Sequence, residues 1–234
     1  DGIISELLRR LELKENLEIV EFGACDGIYL SNTFNLIKKK LIKKAVYIES
    51  DKILYEKLKK VSEQYRCIFP INRIIEKNKG LANSLENILD TTEIKKDIDL
   101  LSIDIDSYDL DVFLSLEKYN PKILIIEVNR MPPGIYHRHN EKINGNSYSE
   151  TILEIKKRGM WPVVFTGNIV FVDIKLLEKI KLNKKIKENS DLLYNYHNYF
   201  YKYKSFSFLK KLLLITIPID ILNFLNKIKK KLFS

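Results

Sequence analysis

Val20-Glu21-Phe22-Gly23-Ala24-Cys25-Asp26-Gly27 closes the first apolar run of this 234-residue chain, and the next such run ends on a lone acid, Glu49. Leu17 to Phe22 reads as a strand, and Gly23 and Gly27 let the backbone turn sharply beneath a ligand. A carboxylate roughly 20 residues on, at the tip of a second strand, suits the hydroxyls of a ribose. A nucleoside-type cofactor site is the expectation, and glycine spacing decides which kind. A dinucleotide fingerprint needs Gly-x-Gly-x-x-Gly, whereas this run is Glu21-x-Gly23-x-x-x-Gly27, with Cys25 at the second glycine position. Close approach of a diphosphate is poorly provided for. A cofactor without phosphates makes no such demand.

Working outward, short β-type runs alternate with helical patterns. A helix-like stretch from about Leu30 to Ile42 precedes a strand at Ala45–Ile48, and Asp51–Ser62 carries apolar residues at helical spacing. Arg66–Phe69 is a third short run, closed by Pro70. Ile98–Ile103 and Lys122–Val128 are almost wholly apolar, as central parallel strands covered on both faces require. Helices are expected between them at Leu110–Leu116 and after them at Ser147–Arg158, the latter ended by Gly159. Trp161–Phe165 and Asn168–Val172 are then separated only by Thr166 and Gly167, which predicts an antiparallel hairpin. Alternating βα units with such an ending fit a doubly wound sheet of the methyltransferase type better than an all-parallel dehydrogenase sheet.

With these runs in place, the chain resembles the class I S-adenosylmethionine-dependent methyltransferases and, more narrowly, the FkbM-type family. The resemblance rests on Val20 to Gly27, on Ile48-Glu49, on Asp99-Leu100-Leu101-Ser102-Ile103-Asp104-Ile105-Asp106 and on Ile125-Ile126-Glu127. It covers residues 17–174, and the family's usual Asp-Val-Glu-Gly after the fourth strand stands here as Asp104-Ile105-Asp106-Ser107. It implies an α/β fold: a Rossmann-like doubly wound, mostly parallel seven-stranded sheet with a terminal antiparallel hairpin. It also implies S-adenosylmethionine, with Gly23, Ala24 and Gly27 around its methionine part and Glu49 on the ribose hydroxyls. Glu21 would help fix the loop, and Asp26 would meet the cofactor's amino group or line the pocket. Glu21 and Asp26 also suit a simpler duty, capping the following helix.

Asp104, Asp106 and Asp109 follow the fourth strand, at the crevice where open α/β sheets bind ligands. Asp104 and Asp106 share a face if the strand continues, and one of them can accept a proton from a substrate hydroxyl. The three acids also form a set of oxygen ligands for a hard cation such as Mg²⁺, or simply enrich a helix N-terminus. Glu127 to Ser149 is the expected substrate loop, since long stretches without periodicity inside a compact domain are usually functional or disordered. Glu127 and Asn129 end a central strand there. His137 and His139 flank Arg138, and His137 is a general-base candidate because imidazole titrates near neutral pH; a merely solvated histidine is the competing reading. Methyl transfer asks mainly for positioning and proton removal, which needs no Ser-His-Asp arrangement.

The net charge of +9 is unevenly placed. Residues 1–174 hold 26 Lys/Arg and 27 Asp/Glu, while residues 175–234 hold 14 Lys and 4 acids. A neutral methyltransferase domain (1–174) and a basic, aromatic, helical extension (175–234) are therefore expected. The extension runs from tyrosines near Tyr194 to an apolar stretch, Leu212–Ile217, bracketed by lysines. It suits an anionic membrane surface, and docking on the domain, a homodimer interface or contact with a neighbouring domain compete. Tyrosines without interleaved basic residues are a weak nucleic-acid signal, so no nucleic acid is expected. Cys25 and Cys67 lack metal or redox spacing and no signal peptide is visible, so the expected location is cytoplasmic, peripheral on the membrane's inner face. The function expected is O-methylation of a hydroxyl on a sugar or surface-glycan precursor. The alternative is a non-catalytic Rossmann-like module scaffolding a glycan-assembly complex.

Overall fold

The computed structural model describes residues 2–129 and 131–194. Among these residues, seven strands form one sheet: β1 (Leu17–Phe22), β2 (Ile42–Glu49), β3 (Ile68–Asn72), β4 (Leu100–Ile103), β5 (Ile123–Glu127), β6 (Met160–Phe165) and β7 (Asn168–Asp173). Their order is β3-β2-β1-β4-β5-β7-β6. The first five are parallel, and β7 lies antiparallel between β5 and β6. This is the doubly wound, mostly parallel sheet with a terminal antiparallel hairpin that the sequence predicts. β1 and β4 are buried at every position because they sit in the middle with both faces covered. Chain progression reverses between them, so the crevice beyond their carboxyl ends is the topological switch point.

The helices are α1 (Gly2–Arg10), α2 (Phe34–Lys38), α3 (Lys52–Gln64), α4 (Leu85–Asp90), α5 (Asp109–Leu114), α6 (Tyr148–Lys157), α7 (Leu177–Ile180) and α8 (Lys184–Glu188). Asp51 caps α3 by accepting from the Leu54 amide at 2.8 Å, and Ser147 caps α6 by accepting from the Glu150 amide at 3.3 Å. The helix expected over Leu30–Ile42 is only the five residues of α2, and β2 already begins at Ile42. The cause is Glu21: its buried carboxylate accepts from Ser31 Oγ and the Asn32 amide, both at 2.8 Å, which holds this segment as a loop. Pro70 stands inside β3 rather than after it, which is tolerated because β3 is an edge strand.

The described residues beyond 174 return to the core. Leu177, Ile180, Leu182 and Ile186 are buried in it, and Arg10 Nη1 donates to the Ile180 carbonyl at 2.6 Å. Tyr194 stacks on Phe165, with ring centroids 5.4 Å apart. The membrane-facing part of the expected extension falls in 195–234, outside the described residues. Among the described residues no helix is long and apolar enough to cross a membrane.

Candidate active site

The loop after β1 is fixed from both sides. Gly23 has φ +76°, and a Cβ there would stand 1.9 Å from the Asp104 carbonyl oxygen, so the loop lies directly against the end of β4. Gly27, φ +84°, packs its Cα face on Leu58 of α3, where a Cβ would come within 2.6 Å. Four of the loop's amides are already engaged. Those of Gly23 and Ala24 donate to the Ile48 carbonyl at 3.1 and 3.2 Å, Cys25 donates to Glu49 Oε2 at 2.8 Å, and Gly27 donates to the Ala24 carbonyl at 2.8 Å. These four donors are turned into the protein and away from any diphosphate.

Glu49 ends β2 and is buried. Its second oxygen accepts from the Asp51 amide at 2.8 Å, so one carboxylate ties the β1 loop to the start of α3. Each oxygen keeps a further lone pair, which is what a pair of ribose hydroxyls needs. Asp26 caps locally, accepting from the Ile28 and Tyr29 amides at 2.9 and 2.7 Å. Glu21 lies beneath the loop and also binds Thr33 Oγ1, which meets the Tyr47 hydroxyl at 2.6 Å. Burial pushes the Glu21 carboxyl above its ordinary range, against hydrogen bonds from Thr33, Ser31 and Asn32 that pull it down.

At the ends of β4 and β5 the acids converge. Asp104 Oδ2 accepts from Asn168 Nδ2 at 3.0 Å, and Glu127 Oε2 accepts from the Asp106 amide at 3.1 Å. Asn168 stands opposite Glu127 in the β5–β7 register. Burial is the largest influence on each carboxyl. It raises Asp104, helped by the Asp106 charge, and pushes Glu127 up to about 8, helped by the charges of Asp104, Asp106 and Asp109. Burial and the neighbouring charges together favour the protonated form of Glu127.

The metal expectation finds no support. Asp109 is almost fully buried and spends its two oxygens on the Ile105 and Ser107 amides, at 2.9 and 3.0 Å, closing the turn into α5. Among the described residues no group of three or more His, Cys, Asp or Glu side chains stands where it could hold an ion. The residues present do not fit Mg²⁺.

The loop after β5 is built by its own contacts. Asn129 donates its amide to the Asn146 carbonyl at 2.8 Å and its Nδ2 to the Asn144 carbonyl at 3.0 Å. The His137 amide donates to Ser147 Oγ at 3.0 Å, and His139 Nδ1 accepts from the Gly145 amide at 3.1 Å. Arg138 pairs with Asp111, Glu150 and Glu154, at 3.1, 2.8 and 3.4 Å, which clamps the loop to α5 and α6. Arg138 and His139 also line a cavity of about 500 Å³ together with Lys77, Lys79, Asp111 and Ser115. Asn168 and Asn32, whose side chains both hydrogen-bond to Asp104, escape a motif search because they reach it only through the hairpin and the Glu21-held loop. A polar residue at the start of a buried strand was the one available signal.

No protein-family model matches the chain, and no curated protein matches it in sequence. Solved structures that resemble it include a SAM-dependent methyltransferase from Aquifex aeolicus, at 15% identity and TM-score 0.45 over 72% of this chain and 88% of that one. Another is TrmK of M. capricolum in complex with S-adenosyl-homocysteine, at 17% and 0.42 over 97% and 96%. A third is a putative sarcosine dimethylglycine methyltransferase from Galdieria sulphuraria, at 12% and 0.45 over 68% and 60%. Likeness this remote carries no assignment of function, which has to come from the site.

Proposed function

We propose that the chain is an S-adenosylmethionine-dependent O-methyltransferase, of the FkbM type by its motifs, acting on a hydroxyl of a sugar or glycan precursor. The observation that carries this reading is the loop after β1: it lies at the switch point beside a buried terminal acid, yet its amides are turned inward. Four of the amides that could cradle a diphosphate are spent there on the protein itself, whereas a nucleoside with an amino-acid arm needs the acid and the open turn. When bound, S-adenosylmethionine supplies a methyl group already activated by its sulfonium.

Glu49 holds the ribose hydroxyls, Gly23, Ala24 and Gly27 leave room for the methionine arm, and Glu21 keeps the loop in shape from below. Asp26 keeps its capping role and lines the pocket. Across the switch point, Glu127 and Asp104 take the proton from the acceptor hydroxyl, with Asp106 beside them and Asn168 orienting Asp104. Asn129, His137, Arg138 and His139 shape the acceptor side through the loop they fold. The sugar preference comes from the family resemblance and the basic extension, whose contact with an anionic membrane surface belongs to the same proposal. A homodimer is not required by any of these roles.

Calorimetric titration with S-adenosylhomocysteine tests the reading. The wild-type chain should bind, and Glu49→Gln should bind about 100-fold more weakly. Hydrogen bonds to a charged acceptor contribute about 1.5–3 kcal/mol each, and each 1.4 kcal/mol is about a factor of ten. Absence of binding by the wild-type chain would overturn the assignment.

A further inference from the structure

Exposed apolar side chains are not scattered over this surface. Twelve large ones are exposed among the described residues, and nine stand in segments that leave the carboxyl ends of β1, β2, β3 and β5. Three are the consecutive Ile28, Tyr29 and Leu30 after β1, the last 79% exposed. Ile53 opens α3 at 72% exposure, Ile74 follows β3 at 71%, and Tyr136 follows β5 at 63%. All follow the carboxyl ends of strands, the edge of the sheet that also carries Glu49 and Glu127. Single exposed apolar residues need no explanation, but a concentration along one edge marks an interaction surface.

The basic extension leaves from the same edge. Tyr194, the last described residue, stacks on Phe165, which ends β6. β6 runs parallel to β5, since both are antiparallel to β7, so Phe165 lies at the carboxyl edge. Beyond it, residues 195–234 hold eight lysines and one acid among many Tyr, Phe, Leu and Ile. An apolar rim and a cationic apolar segment that begins at the same carboxyl edge, at the β6 end of the sheet, match a surface that is apolar inside and anionic at its face. A second copy fits less well, because it would bring together two chains of net charge +9.

We propose that the carboxyl edge of the sheet, and not the extension alone, docks on an anionic lipid bilayer, so that the crevice receives an acceptor hydroxyl carried by a lipid-anchored molecule. The docking places the catalytic opening at headgroup depth, with Ile74 and Tyr136 entering the interface and the lysines of 195–234 meeting anionic headgroups. It rests on the assignment of that crevice as the methyl-transfer site.

The test uses the full chain with phosphatidylcholine vesicles, with and without phosphatidylglycerol. The protein should float with the anionic vesicles and be released by salt, since each lysine near such a surface is worth about fivefold in partitioning. Ile74→Ser with Tyr136→Ser should weaken partitioning by about tenfold or more, as two apolar contacts are lost. Tyr136→Trp should add a fluorescence component that shifts to shorter wavelength only with anionic vesicles. Flotation without that shift, or unchanged partitioning of the double variant, assigns binding to the extension alone and overturns the proposal. So does a component already shifted without lipid, which means that the chain's own extension or a second copy covers the rim. S-adenosylhomocysteine titration of the same samples separates the two ideas: cofactor binding without rim docking defeats only the bilayer proposal, and rim docking without cofactor binding defeats the assignment of the crevice, and with it the delivery of an acceptor there, but not the docking itself.

Discussion

Gly23→Ala is expected to lower the melting temperature by about 10 °C or to prevent folding outright. Two costs combine at this position. The residue sits at φ +76°, where an L side chain costs about 1–2 kcal/mol, and the added Cβ would lie 1.9 Å from the Asp104 carbonyl oxygen. That oxygen is backbone at the end of a central strand, so neither partner can rotate away. The Gly23 amide also donates to the Ile48 carbonyl at 3.1 Å, which prevents the loop from lifting off. Overpacking in such a place costs about 1–3 kcal/mol or more, and each kcal/mol shifts the melting temperature by about 2–4 °C in a chain of this size. Gly134→Ala is the control. It has φ +89° but nothing within 4 Å of its Cβ, so it should show the backbone cost alone. Calorimetric melting of both variants decides the matter, and equal losses would show that the contact with β4 is not the constraint.

Much of this arrangement was legible in the sequence because it depends on local pattern. The almost wholly apolar runs at Ile98–Ile103 and Lys122–Val128 read as central strands, and the short gap at Thr166-Gly167 reads as a hairpin. What was not legible depends on long-range partners. The donors of Ser31, Asn32 and Thr33 look available to a helix, and only the fold reveals that buried Glu21 claims them. Arg138 reads as a substrate-loop residue, yet Asp111, Glu150 and Glu154 surround it once α5 and α6 pack together. Asp109 looks like the third ligand of a metal triad until the turn closes over it. Two helices were missed for another reason. α4 is a six-residue helix inside a polar stretch, too short for periodicity to register. α1 is nine residues long, and its buried Ile4, Leu7 and Leu8 have meaning only against the rest of the core.

Glu127 separates stability from function, because the same substitution should move them in opposite directions. Its carboxyl is pushed up to about 8 from an ordinary value of 4.5, by burial first and then by the charges of Asp104, Asp106 and Asp109. A carboxyl whose pKa is higher in the folded chain takes up a proton on folding between those two values. Stability therefore falls as pH rises above about 4.5, and the penalty is complete above about 8. Glu127→Gln cannot ionise and escapes it. The variant should melt together with wild type near pH 4 and above it near pH 9, apart from a pH-independent offset. Methyl transfer should change the other way. Wild-type rates should rise as Glu127 loses its proton through about pH 8, and the variant should lose that rise and be about 100-fold slower near pH 9, the effect of removing a general base. A structural acid would give the gain in stability without the loss of the pH-dependent rate, and a dispensable one would give neither. Only a carboxyl held at a cost in folding energy so that it can take the acceptor's proton gives both.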